Sequence, residues 1–251
     1  MTDIYPQAEP FFLPGSSELA LLLLHGFTAS PSEVYPTARI IHEQSNCTVS
    51  AILLPGHGSS PQLLNKCSWL DWYRAVKTEL DNLLPRYTRV FVGGLSMGAL
   101  LALKAALNFE GLQGVVAINA PIFNKNPFLT ACAPLYGYLK PYYPKKDIQG
   151  LEQLEAQGRF AYRVMPVKAF QSLMDLRTNI VQDIQQLKIP ALIIQSRQDE
   201  SVNPRSGRFL FAKIRANGSI LLELDSSRHI ATMGPEKEQI ARQIIDFMNK
   251  S

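Results

Sequence analysis

The residues best suited to chemistry are five in a row, Gly94-Leu95-Ser96-Met97-Gly98. An apolar run, Arg89–Gly93, precedes them, and an Ala/Leu-rich stretch starting near Met97 follows. A serine at such a strand-to-helix junction sits on a tight, strained turn that lifts its Oγ above the strand end. The glycines two places before and two places after leave room for the turn to close. The helix that follows points free N–H groups and partial positive charge at any oxyanion formed there. The pattern arises by chance in a chain of this length about one time in ten, as a tight turn with an incidental serine, so the partner groups must decide.

A serine alcohol needs a base to take its proton. Of four histidines, His42 falls inside an expected helix, and His57 lies in the glycine-rich Pro55-Gly56-His57-Gly58, which suits backbone hydrogen bonding. His25 ends the first apolar run and is suited to tying down the loop it opens. His229 follows the last expected strand, in Leu224-Asp225-Ser226-Ser227-Arg228-His229, and is the expected base; a plain loop histidine is the competing reading. The base in turn needs a carboxylate to hold its tautomer. Asp199, after the run Ala191–Gln195, is the first choice; Asp225 is the alternative, and Glu200 is expected to point elsewhere. An oxyanion requires two N–H donors. Met97, next to the serine, supplies one, and Phe27, in Leu24-His25-Gly26-Phe27, is expected to supply the other.

These groups must be delivered by strands ending at a common edge. Short apolar runs at Leu19–Leu24, Thr48–Leu54, Arg89–Gly93, Val115–Asn119, Ala191–Gln195 and Ser219–Leu224 show little polar alternation, as strands buried on both faces do. Helical patterns separate them: Trp69–Leu84 behind Ser68 as N-cap and before Pro85, a helix from Pro204 to about Ile214, and a last one from Pro235 through Phe247. Strands alternating with helices predict an α/β three-layer sandwich with a mostly parallel sheet. No strand is expected between Asn119 and Ala191. Residues 123–185 instead hold nine of the 23 aromatics and eight basic against five acidic side chains. They are read as a helical cap, with 1–122 and 186–251 as the core; long crossover helices joined by a loop are the plainer alternative.

The 251 residues suffice for one sizeable core, and 46% hydrophobic with 18% charged residues is ordinary globular composition. A net charge of +4 is too small and scattered to argue for nucleic acid. No apolar run reaches the ~20 residues of a membrane span, and the N-terminus has no signal-peptide pattern. Cys47, Cys67 and Cys132 have no zinc-site spacing and are expected to be reduced and buried, in a cytoplasmic protein.

The order Ser, Asp, His is that of α/β-hydrolases. With His25-Gly26-Phe27, Leu54-Pro55-Gly56-His57-Gly58, Gly94-Leu95-Ser96-Met97-Gly98, Asn119-Ala120-Pro121 and Asp199-Glu200 with Asn203-Pro204, the sequence resembles the α/β-hydrolase fold family. Within it, the sequence resembles small bacterial carboxylesterases and monoacylglycerol lipases. The likeness runs from about Leu19 to Phe247, except in the cap. It implies a cap inserted after the sixth strand of the fold, and hydrolysis of short- to medium-chain carboxylic esters without a cofactor or metal. Arg228 departs from the small residue usual before the base. Phe123 and Met165 are weaker candidates for an apolar substrate wall, since aromatics of such a segment also form its own core. A small-molecule ester is the expected partner, with oligomeric state left open. A thioesterase, lactonase or C–C hydrolase would use the same residues, and a binding protein that lost turnover is a third possibility.

Overall fold

The computed structural model describes residues 4–123, 125, 140–145 and 148–251. Among them the strands are β1 (Phe11–Leu13), β2 (Leu19–Leu24), β3 (Thr48–Ala51), β4 (Arg89–Leu95), β5 (Leu112–Ile118), β6 (Tyr142–Pro144), β7 (Val164–Pro166), β8 (Ala191–Ser196) and β9 (Ile220–Leu224). The α-helices are α1 (Tyr35–Ser45), α2 (Pro61–Leu64), α3 (Trp69–Leu83), α4 (Met97–Asn108), α5 (Ile148–Ala156), α6 (Val167–Asp183), α7 (Arg205–Lys213) and α8 (Lys237–Lys250).

The main sheet has the order β1-β3-β2-β4-β5-β8-β9, parallel throughout except for β1. Burial on both faces explains the unbroken apolar run of β2. Ala20, Leu22 and Leu24 point into a layer with Trp72 of α3, Leu100 of α4 and Leu176 of α6. Leu19, Leu21 and Leu23 point into the opposite layer, with Ile41 of α1 and Ile244 and Phe247 of α8. This is the expected three-layer sandwich. Register then sets the working edge: Leu24 pairs with Gly94, Leu95 with Ile118, Ile118 with Ile194, and Ser196 with Leu224. Loops after β2, β4, β5, β8 and β9 therefore leave from one edge. The chain crosses from β3 past β2 to β4, so β2 and β4 flank a topological switch point, where open α/β sheets bind ligands.

Several elements differ from expectation. β1 is a three-residue antiparallel edge strand between Pro10 and Pro14, too short to show a period. The interval thought to lack strands holds β6 and β7, paired Tyr142 to Pro166 and Pro144 to Val164. Their prolines speak against strands in sequence but are tolerated in a short edge ladder. That interval follows β5, the fifth strand of the chain. Its helix α6 sends Leu173, Leu176 and Ile180 into the same apolar layer as α3 and α4. Residues 126–139, with Cys132 of the expected buried cysteines, lie outside the described residues. Cys47 is buried and Cys67 half-buried. Helix α3 starts where expected, with Asp71 reaching back to accept from both the Ser68 N–H and hydroxyl. Among the described residues no helix is long and apolar enough to cross a membrane.

Candidate active site

Ser96 occupies the single step between β4 and α4, with φ 56° and ψ −115°, a region that costs a side-chain-bearing residue energy. The crowding behind it is tight: a Cβ on Gly94 would run into the Gly98 backbone, and one on Gly98 into the Leu24 carbonyl. Three distant segments meet at its hydroxyl. His229 Nε2 lies 3.0 Å from Ser96 Oγ, and His229 Nδ1 lies 2.8 Å from Asp199 Oδ2. The carboxylate acceptor requires the proton on Nδ1, leaving the Nε2 lone pair to accept from the serine. Asp199 is fully buried, and its Oδ1 accepts the Ser201 and Val202 N–H groups at 2.8 and 2.7 Å. Asp225, the alternative acid, pairs instead with Arg197 on the surface.

Burial disfavours the His229 imidazolium. The charge and hydrogen bond of Asp199, then the charges of Glu200 and Glu33, outweigh that burial and raise its pKa above 6.5. Glu200 does not simply point away. Its Oε2 accepts the His229 backbone N–H at 3.0 Å and pairs with Arg228 at 3.4 Å, which gives the unexpected arginine a local partner.

The Phe27 N–H and the Met97 N–H have no acceptor among the described residues. His25 fixes the peptide that carries the first. Its Nδ1–H donates to Gly26 O at 2.9 Å, while Nε2 accepts the Leu54 N–H at 3.1 Å. In a trans peptide the N–H points opposite to the C=O, so holding Gly26 O directs the Phe27 N–H away from His25. Burial lowers the His25 pKa to about 4, which keeps this tautomer neutral. His57 donates Nδ1–H towards the Leu54 and Pro55 carbonyls, and burial keeps its pKa well below 6.5. His42 Nδ1 bonds the Cys47 carbonyl at 3.0 Å.

The Phe27 ring packs on Trp72 at 5.8 Å, His57 at 6.2 Å and Phe170 at 6.3 Å, forming an apolar wall beside these amides. Phe123 sits elsewhere, 40% exposed and edge-on to Phe209 of α7, and Met165 lies in β7 opposite Tyr143. Sequence reasoning missed a buried hub, Asn119. Its Nδ2 donates to His229 O at 2.8 Å and to Ser196 Oγ at 3.0 Å, and its Oδ1 accepts the Ser196 N–H at 2.7 Å. The available signal was an asparagine at a strand end, a residue that tolerates the left-handed backbone it adopts there, φ 48°. Among the described residues no group of three or more His, Cys, Asp and Glu side chains could hold a metal ion.

The arrangement can deprotonate an alcohol, hold an imidazolium and receive an oxyanion. Comparison with known proteins agrees in kind. The chain is 28% identical to a thermostable monoacylglycerol lipase of Bacillus sp. (strain H-257), over 100% of this chain and 99% of that protein. It is 25% identical to a carboxylesterase of Bacillus subtilis (strain 168), over 96% of each. A solved structure from work on LipS and LipT, two metagenome-derived lipolytic enzymes, superposes with a TM-score of 0.89 at 32% identity, covering 99% of this chain and 100% of that one. The model of the family described as serine aminopeptidase, S33 (Hydrolase_4) matches residues 15–236, and the chain belongs to that family of α/β-hydrolases.

Proposed function

We propose that the protein is a serine carboxylesterase acting on esters of short to medium acyl chain, with Ser96, His229 and Asp199 as its catalytic triad. The observation that carries this reading is the continuous hydrogen-bond chain from Asp199 through His229 to Ser96, beside two amides without acceptors among the described residues. In the first step Ser96 Oγ bonds to the ester carbonyl carbon while His229 Nε2 takes the hydroxyl proton. The Phe27 and Met97 N–H groups hold the resulting oxyanion. The C–O bond then breaks, His229 returns its proton to the leaving alcohol, and water attacks the acyl-enzyme through the same base. The wall of Phe27, Trp72 and Phe170 suits an acyl chain.

A second reading, monoacylglycerol lipase, draws on the whole-length likeness to the Bacillus sp. enzyme of that name. A panel of p-nitrophenyl esters from acetate to palmitate beside monoacylglycerols separates the two. Matched thioester, lactone and aminoacyl p-nitroanilide substrates test the other reactions open to this fold. A fluorophosphonate is expected to label Ser96, and Ser96→Ala to lower ester turnover about a thousandfold or more; activity surviving in Ser96→Ala would end the esterase reading.

A further inference from the structure

A buried carboxylate that no step above employs lies behind the oxyanion loop. Glu33 ends the short turn Pro31–Glu33, and its side chain is fully buried. Its Oε1 accepts the Gly26 N–H at 2.5 Å. Its Oε2 receives both Nε and Nη2 of Arg159, at 3.0 and 2.8 Å, from 126 residues away. Arg159 is only 5% exposed, so the pair is shielded from water. The Glu33 backbone is anchored as well, its carbonyl accepting the Thr232 hydroxyl at 2.5 Å. A Cβ on Gly26 would lie 2.8 Å from Glu33 Oε1 and 3.4 Å from Ser96 Cβ, so only glycine lets the carboxylate and the serine crowd this point together.

The same distant segment braces the other end of the loop. Thr28 holds a left-handed backbone, φ 66°. Its carbonyl accepts the Tyr162 N–H at 2.8 Å, and its hydroxyl accepts from Lys145 Nζ at 2.6 Å. Phe27 lies between the two braced residues, and its amide is the group that must face Ser96.

We propose that Glu33, gripped by Arg159, is the positioning residue of the oxyanion hole: it fixes the His25–Gly26 peptide so that the next N–H, that of Phe27, faces the serine. The proposal rests on the esterase reading and makes the hole depend on Lys145, Arg159 and Tyr162 being in place. One carboxylate oxygen on the Gly26 N–H and the other held by two N–H groups of Arg159 together leave the loop one orientation.

The test uses the full-length protein and p-nitrophenyl butyrate. Glu33→Asp keeps the charge beside Arg159 but draws the carboxylate back from Gly26. Glu33→Gln keeps the reach to Gly26 but breaks the charge pair. Losing one oxyanion donor costs about a hundredfold to a thousandfold in kcat, so partial misplacement in Glu33→Asp is expected to lower kcat about tenfold to a hundredfold. KM should change little. Affinity for a trifluoromethyl ketone, whose carbonyl carbon bonds to Ser96 Oγ and leaves an oxyanion, should fall by the same factor. Glu33→Gln should melt at a lower temperature than Glu33→Asp yet keep more kcat. Should Glu33→Asp not fold, Arg159→Lys, which keeps the charge without the two-donor grip, is expected to show the same matched loss of kcat and ketone affinity. A folded variant with wild-type kcat, or losses that merely follow melting temperature, would overturn the proposal. Ser96→Ala measured alongside separates the levels: if it is inactive, those outcomes remove only the positioning role, and if it is active, both readings fall.

Discussion

His229 is pulled in two directions, and the balance fixes a measurable pH. Burial opposes its charged form, but the Asp199 carboxylate leads a set of acids that together raise its pKa above 6.5. A base must be neutral to accept the serine proton, so kcat/KM is expected to be low in acid and to rise as a single titration with a midpoint above ~6.5. A pH–rate profile checks this; a midpoint below 6 would contradict the acid cluster. Asp199→Asn removes the largest raising influence and frees the tautomer, with an expected loss of about 10⁴ in kcat. His25 works the other way. Its folded pKa of about 4 lies below that of the unfolded chain, so protons favour unfolding as pH falls through that interval. Full protonation of this site is expected to cost about 3 kcal/mol of stability between pH 6.5 and 4. Buried His57 adds to the loss. Urea midpoints across that range measure it, and His25→Gln should flatten the curve while slowing turnover by loosening the Phe27 amide.

At the scale of elements, the site depends on how closely α4 approaches the ends of β2 and β4. Gly98→Ala would place a Cβ against the Leu24 carbonyl, within rigid backbone, so the helix start must move. A destabilisation of about 3 kcal/mol is expected, with loss of activity even where the variant folds, readable as a lowered melting temperature and turnover. The loop carrying His229 is held by two further devices. Glu236, the residue before α8, accepts the N–H groups of Asp225, Ser226 and Ser227 at 3.0, 3.0 and 2.7 Å. Asn119 ties the His229 carbonyl to the end of β8. Asn119→Ala is expected to cost about 2 kcal/mol and to lower kcat more than it raises KM, since the acid and base loops lose their common anchor. These devices were not legible in advance. Glu200, Glu236 and Glu33 are ordinary acidic residues in sequence, and nothing in their spacing names the backbone N–H groups they accept.

At the scale of the whole molecule, the described residues between 140 and 185 reach both the core and the loop after β2. Helix α6 completes one apolar layer, while Lys145 and Tyr162 bond Thr28 and Arg159 bonds Glu33. The sandwich could be read along the chain, because period, length and apolar run are local properties that burial on both faces imposes on each strand. The strained turn at Ser96 was legible too, and so was the short list of candidate partners, His229 and Asp199, since few histidines and acids follow strand ends. Long-range packing sets what the chain could not show, that His229 stands 2.8 Å from Asp199 and 3.0 Å from Ser96. The same packing sets Phe27 against Trp72 and Phe170, and brings a glutamate at 33 to an arginine at 159. The reason is physical: a buried ion pair or a packed ring is chosen by whatever distant segment the fold brings against it, and that choice leaves no period and no spacing along the chain.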